Sequence, residues 1–191
     1  MKYDSKTNKF LLCFLALLVL GACSPDRFTL DKISGQNRIE GFEIRSIHDA
    51  DVRHDNAFIL NENGAVSLRA VGETEGTWDF GLNFLFGQDV NIAFRDVSYE
   101  YISPRAVYLN LSDNLVRIID SGKEVFTNKG KYNFSYNTRF QFINDGFNYT
   151  LIIDCDTIYK GKTTIPSTEY IIFESLNNSK VFLSGIDFRK K

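Results

Sequence analysis

Beyond residue 41 the chain alternates apolar and polar side chains with a period of two, almost without a break. Within residues 77–86 (TWDFGLNFLF), Trp78, Phe80, Leu82, Phe84 and Phe86 fall on one parity, with Asp79, Gly81, Asn83 and Leu85 between them. Large apolar residues at i, i+2 spacing turn one face of an extended strand into a core. The same parity holds for Val90, Ile92 and Phe94, and again for Val107, Leu109 and Leu111. No stretch of this region carries a sustained apolar stripe of period 3.6, so helix is expected to be a minor component.

Turn chemistry punctuates these runs. Asn61-Glu62-Asn63-Gly64 is expected to separate a strand at 57–60 from one at 65–71. Ser112-Asp113-Asn114, Asp120-Ser121-Gly122, Asn144-Asp145-Gly146 and Leu176-Asn177-Asn178 separate later ones. Asn, Asp and Gly at such places tolerate the positive φ that tight hairpin turns require. His48 to Asp55 reads as a solvated loop between strands at 41–47 and 57–60. About ten to twelve short strands at regular spacing predict an all-β fold, a two-sheet antiparallel β-sandwich or a barrel. A continuous run of hairpins sharing two apolar faces needs one packed core, so a single domain over 41–191 is expected.

Composition adds two constraints. With 191 residues, 22 Lys+Arg and 24 Asp+Glu, the chain has no basic excess to hold nucleic acid. Its 17 Phe and 9 Tyr suit pleated, half-buried surfaces and support the all-β reading.

The N-terminus differs from everything after it. Lys2, Lys6 and Lys9 precede an uninterrupted apolar run from Phe10 to Leu20, too short to span a bilayer and of the right length for an export signal. Leu20-Gly21-Ala22-Cys23 resembles the lipobox of bacterial lipoproteins. That resemblance implies cleavage before Cys23, diacylglyceryl transfer to its thiol and acylation of the new amino group. The expected organisation is a signal peptide (1–22), a lipidated tether (23–40) and the sandwich (41–191). Membrane lipid is then a partner, because two or three acyl chains anchor stably where one does not. Ser24 in place of an Asp favours an outer-membrane destination within the envelope. Cys155 is left as an unpaired thiol between Asp154 and Asp156, expected to be a buried and inert small hydrophobe.

The order of segments is similar to that of concanavalin A-like/laminin G-like jelly-roll domains over about residues 57–189. Asn144-Asp145-Gly146, residues 157–161 (TIYKG) and Val181 to Phe188 occupy the places of that family's last strands and turns. Phe94-Arg95 matches a Phe-Arg pair that often ends the strand after the long one. Members include lectins, adhesion modules and glycoside hydrolases, so the resemblance implies a fold and leaves the activity open.

Candidate chemistry is sparse. A retaining glycosidase needs two carboxylates about 5–5.5 Å apart, and no strand carries the acidic triplet used by hydrolases of this fold. His48, Asp49, Asp51, His54 and Asp55 are compatible with a divalent metal but equally with a solvated loop, and no metal or other cofactor is assigned. Asp154 and Asp156 read as turn residues. A glycan site needs rings for sugar C–H faces and polar groups for hydroxyls. Tyr99 and Tyr101 on one face, with Arg105 nearby, form one candidate; Tyr132, Phe134 and Tyr136 form another. The same rings could simply cover the sandwich edges. The sequence therefore points to a lipid-anchored module that binds a glycan or an envelope protein or serves structurally, with a glycoside-hydrolase-like enzyme as the alternative.

Overall fold

The computed structural model describes residues 38–39, 42–53, 57–96, 98–129, 132–134 and 137–191. Among them every regular element is a strand: β1 (Arg38–Ile39), β2 (Phe42–Arg53), β3 (Ala57–Arg69), β4 (Gly76–Phe86), β5 (Asp89–Arg95), β6 (Val107–Ser112), β7 (Leu115–Asp120), β8 (Lys123–Lys129), β9 (Thr138–Asp145), β10 (Asn148–Ile153), β11 (Asp156–Lys162), β12 (Tyr170–Ser175) and β13 (Lys180–Lys190). All pairings are antiparallel. The expected signal, Cys23 and the tether before β1 lie outside the described residues.

The strands form two sheets joined through β2 and β3. The first runs β11-β10-β9-β4-β13 and ends on the first part of β3, where Phe58, Ile59 and Leu60 pair with Leu183, Phe182 and Val181. The second begins on the last part of β3, where Ala65 to Arg69 pair with β12, and continues β5-β6-β7-β8. Strand β2 follows β3 through both sheets.

Two expected boundaries are therefore corrected. Residues 61–64 do not end a strand, and His48 to Arg53 do not form a loop; both lie within strands that bend from one sheet to the other. The bend uses the residues that suggested a turn. Asp49 and Asn63 take φ of 44° and 57°, and the β2–β3 register shifts between His48 and Ala50. Ser175 Oγ accepts from the Gly64 N–H at 2.9 Å and donates to the Asn61 carbonyl, while Asn61 Nδ2 donates to Asp49 Oδ1 at 3.3 Å. A Cβ on Gly64 would meet the Asp49 carbonyl oxygen and lie 2.9 Å from the Asn61 nitrogen. Positive-φ residues can thus bend a strand as well as reverse it.

The expected parity fills the core. Trp78, Phe80 and Leu82 of β4, Val90, Ile92 and Phe94 of β5, and Val107, Leu109 and Leu111 of β6 are fully buried. Rings meet across the two sheets: Phe80 against Phe173 at 4.9 Å, Phe94 against Phe142 at 4.3 Å and Phe42 against Trp78 at 5.9 Å. Phe86 breaks the pattern at 65% exposure, where the β4–β13 register shifts between Phe84 and Phe86. Cys155 also departs from expectation. It is exposed, since the β10–β11 turn needs positive φ at Asp154 and Cys155 (48° and 71°) and so leaves the sheet surface.

Candidate functional site

With the inward parity of β5, β6 and β7 taken by the core, Asn91, Asn110 and Arg117 must face outward. Antiparallel register then sets them side by side: Asn91 pairs with Asn110, Asn110 with Arg117, and Arg117 with Thr127 of β8. Asn110 sits at the centre, only 9% exposed. Its Nδ2 donates to Asn91 Oδ1 at 2.9 Å and Asp89 Oδ1 at 3.1 Å, and its Oδ1 accepts from Arg117 Nη1 at 3.3 Å. Both amide hydrogens are thereby used, which makes Asn110 a positioning residue that fixes its neighbours. Asp89 also accepts from Asn177. Thr127 Oγ1 donates to Glu124, whose other oxygen lies 3.7 Å from Arg117 Nε.

This network floors a cavity of about 330 Å³, walled by Tyr108, Ile119 and Glu124. A second cavity of about 430 Å³ adjoins it around the β6–β7 turn, shares Ser112 and Arg117, and ends at Lys129. With Ser112 and Arg117 common to both linings, the two make up one outward groove. Most Arg117 donors and the Asn91 amide nitrogen have no partner among the described residues, and they stand beside the carboxylates of Asp89 and Glu124. Such an array offers donors and acceptors at neighbouring sheet positions, beside a tyrosine ring.

The segment after β5 lies across the same face. Asp96 holds it by accepting from Ser98 N at 3.0 Å and from Ser103 N and Oγ at 2.6 Å each. Glu174 accepts from Ile102 N at 2.8 Å, and burial pushes its carboxyl above the ordinary range. Beneath the segment Ile172, Ala93 and Ala106 are buried, with Ile102 and Tyr108 packed against them. Tyr108 thus belongs both to this small apolar cluster and to the groove.

The sequence candidates divide. Tyr99, Tyr101 and Arg105 all sit on this irregular segment, where no strand aligns the two tyrosines. Tyr99 lies 6.0 Å from Tyr170 with the Arg45 guanidinium over its ring, while Tyr101 is 61% exposed and Arg105 is exposed. Tyr132 and Phe134 lie elsewhere, packed into the sandwich. Phe134 is fully buried between Phe84 and Phe140, so its ring offers no face to a ligand; Tyr132 stacks on it at 6.0 Å. Tyr136, His54 and Cys23 are outside the described residues. Asn91, Asn110 and Arg117 escape a reading of the sequence because each looks like an ordinary solvent-side residue until register places them together. The local signal is faint: Asn91 between Val90 and Ile92 and Asn110 between Leu109 and Leu111 are each an amide between two large apolar residues.

The outward face of the first sheet also carries two acids. Asp79 and Asp187 pair across β4 and β13. Yet Asp79 is only 4% exposed: Arg139 pairs with one oxygen, while Arg189 Nη2 and Gln141 Nε2 donate to the other at 2.8 and 3.0 Å. Burial pushes the Asp187 carboxyl upward. A carboxylate so occupied is built to anchor guanidinium groups across three strands.

No family model and no curated protein matches the chain. Solved structures do match it in shape. The carbohydrate binding module CBM66 from Bacillus subtilis superimposes with a TM-score of 0.57 and 8% identity over 76% of this chain and 93% of its own. The Emp46p carbohydrate recognition domain, in a potassium-bound form, gives 0.53 and 11% over 83% and 94%. The SPRY domain of human HERC1 gives 0.53 and 11% over 79% and 99%. The chain has the jelly-roll sandwich fold of lectins and carbohydrate-binding modules, as the order of its segments implied.

Proposed function

We propose that this chain is a non-catalytic glycan-binding module, held at a bacterial cell envelope by an acylated Cys23. The observation that carries the reading is Asn110, an amide held at 9% exposure whose nitrogen donates to Asn91 and Asp89 and whose oxygen accepts from Arg117 on an outward sheet face. A pre-set row of amide, carboxylate and guanidinium groups beside a tyrosine suits sugar hydroxyls and ring C–H faces, and its prior fixing lowers the ordering cost of binding. Likeness in fold to a carbohydrate-binding module and a carbohydrate recognition domain supports the glycan. Tyr99, Tyr101 and Arg105, on the segment that crosses the same sheet face, are further candidate contacts. The lipobox resemblance supports the anchor and an outer-membrane site.

Two measurements test the reading. A glycan array probed with the full chain is expected to give saturable binding that Asn110→Ala and Arg117→Ala each weaken at least tenfold, Arg117→Ala at unchanged Tm. Radiolabelled palmitate is expected to enter the chain in a two-membrane bacterium and to be lost with Cys23→Ser. Binding indifferent to both groove variants removes the site, and an unlabelled native chain removes the anchor.

A further inference from the structure

We propose that the groove selects a glycan bearing a carboxylate, with a hydroxyl-rich sugar over Asn91 and Asn110 and the acid group between Arg117 and Lys129. The inference rests on the glycan reading and adds the charge and polarity of the ligand. The two halves of the groove differ in kind. The smaller cavity contains Asp89 and Glu124 with Arg117, and its acids already accept bonds from Asn110, Asn177 and Thr127. The larger one contains Arg117 and Lys129 with Asp113 at the turn.

Register brings the two cations together. Lys129 pairs with Leu115 and Arg117 with Thr127, so Arg117 and Lys129 are diagonal neighbours on one face of β7 and β8. Such neighbours stand about 7–8 Å apart at the backbone, within reach of long side chains that converge on one group. Arg117 spends one donor on a 3.3 Å bond and has Glu124 only at 3.7 Å; Lys129 has no ion pair among the described residues. A planar guanidinium with free parallel N–H groups matches a carboxylate in a bidentate way, and the ammonium adds a point charge from the side. Lys129 is exposed and Arg117 half-buried, so the attraction is sensitive to salt.

Affinity electrophoresis of the full chain in polygalacturonate, alginate and hyaluronan, each against its carboxyl-reduced form, tests this. At least one acidic polymer is expected to bind tenfold or more tightly than its reduced form. Lys129→Ala should cut that ratio to threefold or less, whereas Lys123→Ala, at the far end of β8, should leave it unchanged. Equal binding to both members of every pair, an equal effect of Lys123→Ala, or equal displacement by poly-glutamate or dextran sulfate overturns the proposal. Neutral polymers bound through Arg117 would in that case leave the glycan reading standing. No retention by any polymer, acidic or reduced, would take both down.

Discussion

Arg95 Nε donates to Asn144 Oδ1 at 3.0 Å, and this bond ties the end of β5 in one sheet to the end of β9 in the other. The guanidinium is fully buried, and no carboxylate among the described residues is bonded to it. Its Nη1 donates to the carbonyls of Gly146 at 2.6 Å and Ile165 at 2.9 Å, its Nη2 to that of Asn148, and Tyr149 stands under it at 5.6 Å. Burial pushes the group down to about 10, so it stays charged at neutral pH. One rigid fork thus satisfies the turn that closes the sandwich.

Replacing Arg95 should therefore unlock that end. Arg95→Met takes the donor from four acceptors, of which the Gly146 carbonyl keeps Ser167 Oγ at 3.2 Å, and each buried acceptor left orphaned costs about 1–3 kcal/mol. Arg95→Lys cannot span the same four acceptors. Urea denaturation is expected to show both variants destabilised by at least about 3 kcal/mol, Met and Lys alike. Folded and unfolded Arg95 are both protonated from pH 5 to 8, so the loss should be flat across that window. A Lys variant as stable as the parent would mean that charge alone matters.

Glu174 gives the opposite kind of pH dependence. Burial raises its carboxyl above the ordinary 4.5, with Asp96 nearby adding to the shift. A raised acid contributes stability that is complete below the unfolded value and is lost as pH rises through the folded one. Glu174→Gln keeps an acceptor for the Ile102 N–H and removes the buried charge. Thermal denaturation is expected to give a gain at pH 7 of at most about 1 kcal/mol after solvent screening, or about 2–4 °C, and none at pH 4. A gain of equal size at both pH values would exclude the charge as its cause.

The sandwich was legible in the sequence because burial on one face leaves a period-two trace in every strand, as with Trp78, Phe80 and Leu82. The bend at Asn61 to Gly64 was not, since the same residues build a reversal or a bulge and only the partner strand decides. Phe134 looks like a surface ring because it shares a parity with Tyr132 in a segment too short to reveal its inward turn. The groove is hidden for a different reason: Asn91, Asn110 and Arg117 lie on three strands, and their union exists only once register is known.

Gly64 and Gly72 separate the two ways in which a glycine matters. Gly72 has φ of +76° and nothing within 4 Å of the place a Cβ would take, so Gly72→Ala carries backbone strain alone, about 1–2 kcal/mol. Gly64→Ala drives a methyl into the backbone of Asp49 and Asn61, where the sheets exchange strands. Overpacking of this kind costs about 1–3 kcal/mol or more, and here no flexible side chain can yield. Urea midpoints should fall further for Gly64→Ala than for Gly72→Ala. The reverse order would mean that the bend relaxes freely.

The aromatic candidates should separate in the same way. Phe134→Ala opens the core, at about 3–5 kcal/mol, and any binding it loses is expected to follow loss of fold. Tyr101→Ala removes an exposed ring and should shift stability by no more than about 0.5 kcal/mol. Circular dichroism melts beside glycan binding distinguish the two. Lost binding with an intact melt is expected for Tyr101→Ala and excluded for Phe134→Ala.

Thiol counting tests the anchor and the exposed turn together. Cys155 is exposed in the folded domain, so maleimide should label it without denaturant. If residues 1–22 are removed and Cys23 carries a thioether-linked diacylglyceryl group, Cys155 is the last free thiol, because Cys13 leaves with the signal. The chain isolated from an envelope should then take up one label per molecule, native or unfolded, and none after Cys155→Ser. Two labels on unfolding would show either Cys23 unmodified or Cys13 retained, which mass separates, and three would show both. No label before unfolding would place Cys155 under cover and contradict the turn geometry.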